Sequence, residues 1–98
     1  MTAAYTRRMA KAVVDPNELR RFAADLRKFN MDLQAGIGTI SSRMNTLAQS
    51  WRDQEQQKYA EEFEQTMKVL QRLMKASEEH IPFLMRKADR IDEYLRQK

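Results

Sequence analysis

Two long runs of apolar residues at helical spacing make up most of the chain, separated by a short stretch that holds its only tryptophan. In the first run the apolar positions are Leu19, Phe22, Leu26, Phe29, Leu33, Ile37, Ile40, Met44, Leu47 and Trp51, with mostly charged or polar residues between them. Steps of three and four alternate except for a stutter between Leu33 and Ile37, which is the signature of a coiled-coil seam. The second run is Tyr59, Phe63, Met67, Leu70, Met74, Ser77, Ile81, Leu84, Ala88, Ile91 and Leu95, and after two opening steps of four it keeps the alternation to its end. Val69, Leu73, Ala76 and Phe83 add a stripe beside it, so the second helix is apolar over a wider arc than one two-helix seam requires.

Local signals place the ends of these elements. Asp15 is a capping residue, Pro16 suits the first helical position because its missing N–H would be unpaired there, and Glu18 completes a capping box. The first helix is expected over about residues 16–48, roughly 50 Å at 1.5 Å per residue. A turn follows over residues 49–53. Ser50 and Asp53 both offer caps there, and Asp53 with Gln56 forms the box that opens a second helix over about residues 54–96. Glu55, Glu61 and Glu62 lie early in that helix, where the dipole favours them. Pro82 predicts a kink near Glu78–Ile81. The heptad phase passes through it unchanged, which argues against a domain boundary. Gly36 and Gly38 coincide with the stutter. They are read either as a crossing point for another helix or as a weak spot where the first helix bends.

The fold class that follows is all-α: an antiparallel hairpin of two long helices, residues 15–98, behind a flexible basic tail, residues 1–14. One hairpin has one mutual seam and a thin core. The flanking stripe and the glycine pair therefore point to a second hairpin, giving a four-helix bundle from two chains. The residues expected on seams and interfaces are Leu26, Phe29, Leu33, Gly36, Ile37, Ile40 and Met44 in the first helix. In the second they are Phe63, Leu70, Leu73, Met74, Ile81, Leu84 and Ile91.

Composition agrees with this picture and removes several alternatives. Ninety-eight residues make one small domain, and a third of them are charged with only two Gly and two Pro, which suits long helices. The chain has no cysteine, so disulfides and thiolate metal sites are excluded. No apolar run approaches the roughly 20 residues of a membrane span, and the N-terminus lacks the apolar core of a signal peptide. The net charge of +4 is concentrated at one end: residues 1–14 carry Arg7, Arg8 and Lys11 and no acid, whereas residues 51–98 hold ten bases and ten acids. A near-neutral body with mixed signs does not present the basic face of a nucleic-acid module.

No catalytic constellation is visible. His80 has no second histidine or thiol to share a metal. The serines lack a His/acid pair behind them, and Gly36 and Gly38 lie inside a helical pattern and not in a phosphate-binding loop. Met44, Met67 and Met74 fall on the seams and read as packing. The expectation is a non-enzymatic protein with no cofactor, no metal and no small-molecule substrate.

The central turn, the two helices, the length, and the opening Val14-Asp15-Pro16-Asn17-Glu18-Leu19-Arg20-Arg21-Phe22-Ala23 together resemble the WXG proteins. These are the ESAT-six-like small proteins of type VII (Esx) secretion. The resemblance covers residues 14–96 and extends to Tyr59-Ala60-Glu61-Glu62-Phe63, where the family commonly has an Ala and a Phe. Two departures stand out. The turn reads Trp51-Arg52-Asp53 in place of Trp-x-Gly, and Tyr94 is followed four places on by Lys98, so the C-terminal Tyr-x-x-x-Asp/Glu export signal is missing. The resemblance implies a protein that pairs with a second hairpin, as a homodimer or as a heterodimer with a paralogue. It also implies secretion without a cleaved signal peptide, or residence in the cytoplasm, and a secretion ATPase as a candidate receptor for Trp51. Competing readings are a needle or filament subunit of another secretion apparatus, and a binder of nucleic acid or anionic lipid acting through residues 1–14.

Overall fold

Asp15 starts the first helix as its chemistry demands. It holds an extended backbone, and its carboxylate accepts a hydrogen bond from the Asn17 N–H at 2.9 Å. Its carbonyl accepts from Glu18 and Leu19. Two of the donors left unpaired at a helix N-terminus are thereby satisfied. The computed structural model describes residues 14–97, so the expected tail lies, apart from Val14, outside the described residues. Helix α1 runs Pro16–Ser50 and helix α2 runs Gln54–Arg96. There is no strand among the described residues. The chain is an all-α helical hairpin.

The turn is short and capped on both sides. The Trp51 N–H donates to the Leu47 carbonyl at 2.9 Å, and the Ser50 hydroxyl donates to the same oxygen at 3.3 Å. The last turn of α1 contains no basic residue. Arg52, just beyond it, turns back and donates from Nε to the Gln49 carbonyl at 3.0 Å. Asp53 then caps α2, its carboxylate accepting from the Gln56 N–H at 3.0 Å. Its backbone is extended at φ −82° and ψ −178°, and no described residue has a positive φ. The turn therefore does not need glycine at this position, and Asp adds a cap that glycine cannot supply. α2 continues through Pro82, whose ring lacks the N–H that would reach the Glu78 carbonyl.

The hairpin is held in register at both ends. The Trp51 and Tyr59 rings pack with centroids 5.7 Å apart at the turn. At the open end Arg20 bonds Asp89 at 2.9 Å and Asp92 at 2.5 Å. Between them the core is one layer deep. The buried apolar residues are Ala23, Ile37, Ile81, Ala88 and Ile91. The radius of gyration is 21.6 Å, against about 13 Å for a compact chain of this size. A structure this long and thin leaves much of its apolar surface uncovered.

Candidate functional site

The residues that face α2 from α1 are Leu19, Ala23, Leu26, Asn30, Leu33, Ile37, Ser41, Met44, Ala48 and Trp51, all buried or half-buried. This corrects the seam expected from apolar spacing. Phe22, Phe29, Ile40 and Leu47 do not point at α2 and are between 45 and 56% exposed. The physical reason is that α1 carries two overlapping facets. Leu26, Leu33, Ile37 and Met44 lie near the boundary of both, so spacing alone joins them to either line. The inner line is completed by small or polar residues, which let the helices come close. The large side chains are left on the flank.

On α2 the inner line keeps the predicted phase. Phe63, Met67, Leu70, Met74, Ser77, Ile81, Leu84, Ala88 and Ile91 are buried or half-buried, while Tyr59 and Leu95 at its ends are exposed. Val69, Leu73 and Phe83 are 54–55% exposed. Gly36 is also exposed, and a Cβ added there or at Gly38 would meet nothing within 4 Å. Neither glycine serves the approach of α1 to α2.

The two faces of the hairpin differ in character. On one, Ile40, Met44 and Leu47 of α1 line a shallow groove with Tyr59 and Phe63 of α2, edged by Arg43. On the other, the groove between the helices is lined by Met44, Phe63 and Met67 together with Ser41, Asn45, Ala48, Gln56, Ala60 and Glu64. At about 100° per residue, Phe22 and Phe29 share the flank of Ile40 and Leu47, and Leu73 lies about 40° from Tyr59, with Val69 and Phe83 further round α2. Near the turn one groove is thus mainly aliphatic and aromatic, whereas the opposite groove mixes large apolar residues with small and polar ones. Exposed apolar surface on this scale marks an interaction site.

Trp51 closes the end of that surface. It is half-buried, its ring tilted 37° to that of Tyr59, which in turn lies 6.3 Å from Phe63. The ring packs at the turn and stays partly exposed.

Spacing gave no sign of two further features. The Arg20 clamp joins residues 69 and 72 positions apart. It becomes predictable only once the turn sets the register. The two aspartates hold the Arg20 guanidinium protonated above its usual range, and Asp32 does the same for Lys28. Upward shifts in groups already charged at neutral pH contribute stability that is complete below their unfolded-state values and lost only in strong alkali, so neither group makes the hairpin pH-sensitive near neutrality. The second feature is a polar layer mid-seam. Asn30 and Ser77 are 4% and 8% exposed, and both amide atoms of Asn30 and the Ser77 hydroxyl have no hydrogen-bond partner in the protein. Among the described residues there is no cluster of three or more His, Asp or Glu side chains that would hold a metal ion, and no helix long and apolar enough to cross a membrane.

The WXG100 family model, described as proteins of 100 residues with WXG, matches residues 12–94. No curated protein and no solved structure matches the chain.

Proposed function

The chain belongs to the WXG100 family, and from that membership we propose that it is a non-enzymatic, ESAT-six-like small protein of type VII secretion that works by pairing with another helical hairpin. The observation that carries the reading is the apolar surface left exposed along the hairpin, to which both helices contribute large, half-exposed side chains. Covering it with a second hairpin completes a four-helix bundle and removes from water the surface that one seam leaves wet. The partner is a second copy or a paralogous hairpin. Trp51 and its neighbours at the bundle end supply a separate contact for the secretion machinery, because Trp51 stays partly exposed beside Tyr59.

The test is the mass in solution by sedimentation across a range of concentrations, alone and with hairpin proteins encoded nearby. A concentration-dependent shift to twice the mass, in either setting, supports the reading. A monomer throughout would sink it. Trp51→Ala should leave pairing intact and reduce export of the pair; loss of pairing instead would make the ring purely structural.

A further inference from the structure

Toward the open end, α1 carries two lines that would each make a seam with α2, and only one is used. Ala23 and Asn30 face α2 and are 1% and 4% exposed, whereas Phe22 and Phe29, one position earlier in each case, are 56% and 52% exposed. Leu19, Leu26 and Leu33 run between the two lines and are half-buried. At about 100° per residue, the phenylalanines lie as far to one side of these leucines as Ala23 and Asn30 lie to the other. A rotation of this half of α1 by about 40° about its own axis would therefore exchange the two pairs and keep all three leucines in the seam.

By burial alone the unused line is the better one. It sets two phenylalanines in place of an alanine and an asparagine, and it returns to water an amide whose two polar atoms have no partner in the protein. Residues 16–35 are free to turn as a unit. Gly36 and Gly38 follow them, with the loosest backbone of any residue and no packed neighbour to resist a twist. Some other contact must hold the phenylalanines out, and Arg20 is placed to do it. It projects about 160° round the helix from Phe22 and bonds Asp89 at 2.9 Å and Asp92 at 2.5 Å. The rotation that carries Phe22 and Phe29 toward α2 carries Arg20 away from both aspartates.

We propose that this clamp is a latch that selects between two seams. Closed, it displays Phe22 and Phe29 on the outer flank. Released, it lets the N-terminal half of α1 turn and bury them against α2. Packed helices shift between discrete settings of this kind because their interfaces are bistable. All three side chains of the clamp stay in contact with water, so opening it strands no buried charge and needs no unfolding. The latch is a property of the single chain. Only the use of the displayed phenylalanines by a partner rests on the pairing function above.

Hydroxyl-radical footprinting of the full chain, kept dilute enough to be monomeric, tests it by reading side-chain exposure at the native residues. Arg20→Ala should lower labelling of Phe22 and Phe29 several-fold, while Phe83 on α2 stays as it is. A clamp that merely ties the open end together predicts the opposite sign, because its loss would fray the helices and raise labelling at both phenylalanines. Amide exchange there quickens in either case, since it reports rare opening whereas labelling reports average exposure. Asp89→Asn combined with Asp92→Asn breaks the latch from the other helix and should reproduce the loss. Adding Asn30→Leu to Arg20→Ala should restore wild-type labelling, because an apolar side chain at position 30 favours the seam now in use. Unchanged or increased labelling of Phe22 and Phe29 in both clamp variants, with helical circular dichroism retained, would overturn the latch. Because the chain is monomeric throughout, neither result depends on whether it pairs.

Discussion

Gly36→Ala and Gly38→Ala form a matched pair of perturbations that separates the hairpin's own stability from that of its assembly. Both glycines lie inside α1, and an added Cβ at either meets nothing within 4 Å. With no steric opposition inside the chain, only backbone entropy and helix propensity remain, and Ala exceeds Gly by about 1 kcal/mol at an interior position. Each substitution should therefore raise the stability of dilute monomer by about 1 kcal/mol. With a urea m-value of about 1–3 kcal/mol/M, that moves the midpoint up by roughly 0.3–1 M. The assay is urea unfolding followed by helical circular dichroism, at one concentration well below the association range and one well above it. In the concentrated sample an associated chain gains stability by mass action. There the crossing reading of Gly36 predicts that the two substitutions part company: Gly38→Ala keeps its gain, whereas Gly36→Ala loses some or all of it to a methyl group set where a second hairpin would approach. Equal gains at both concentrations would refute a crossing at Gly36. A loss of stability at either site in dilute solution would refute the description of this stretch as unobstructed helix.

Three further outcomes are expected. Asn30→Ala should stabilise the hairpin by about 1–2 kcal/mol in urea unfolding, because it removes two buried polar atoms without a partner in the protein and the inner line already accepts Ala at positions 23, 48 and 88; a loss of stability would mean the amide is satisfied in solution. Asp53→Ala should lower stability by about 1 kcal/mol through loss of the α2 cap, while Asp53→Gly, which restores the Trp-x-Gly reading, should lower it by only a few tenths. Should Gly prove better than Asp, the extended backbone at this position would be wrong. Arg20→Ala should speed amide exchange at the open end of the hairpin and leave the turn unchanged; uniform acceleration along both helices would show that the clamp supports the whole structure.

Much of this architecture is legible in the sequence, and for identifiable reasons. Asp15-Pro16 and Asp53-Gln56 announce helix starts because the capping chemistry is local. The inner line of α2 is recoverable even through Ser77 and Ala88, because large apolar residues on either side hold the heptad phase. α1 is different. Its bulkiest residues, Phe22 and Phe29, belong to the outer flank, while Ala23, Asn30, Ser41 and Ala48 face α2. Spacing sorted by hydrophobicity alone merges the two lines, since Leu26, Leu33 and Met44 are spaced correctly for both. The buried Asn30 is polar and so invisible to such a pattern. The Arg20 clamp depends on a register that only the three-dimensional turn defines. The α2 part of the exposed apolar surface was therefore readable as the stripe Val69, Leu73, Ala76 and Phe83, whereas the α1 part, Phe22, Phe29, Ile40 and Leu47, was read as seam.

The order in which the hairpin closes follows from its register. Contacts near the turn, such as Trp51 with Tyr59, join residues close in sequence, whereas Arg20 and Asp92 are separated by 72 positions. Loop-closure entropy grows with that separation, so helix pairing nucleates at the turn and proceeds by zippering toward the open end. Substitutions at Asp53 or Tyr59 should then act mainly on the folding rate, and substitutions at Arg20 mainly on the unfolding rate. The end that closes last is also the first to open, which gives any machinery that must pull this chain apart a defined place to begin.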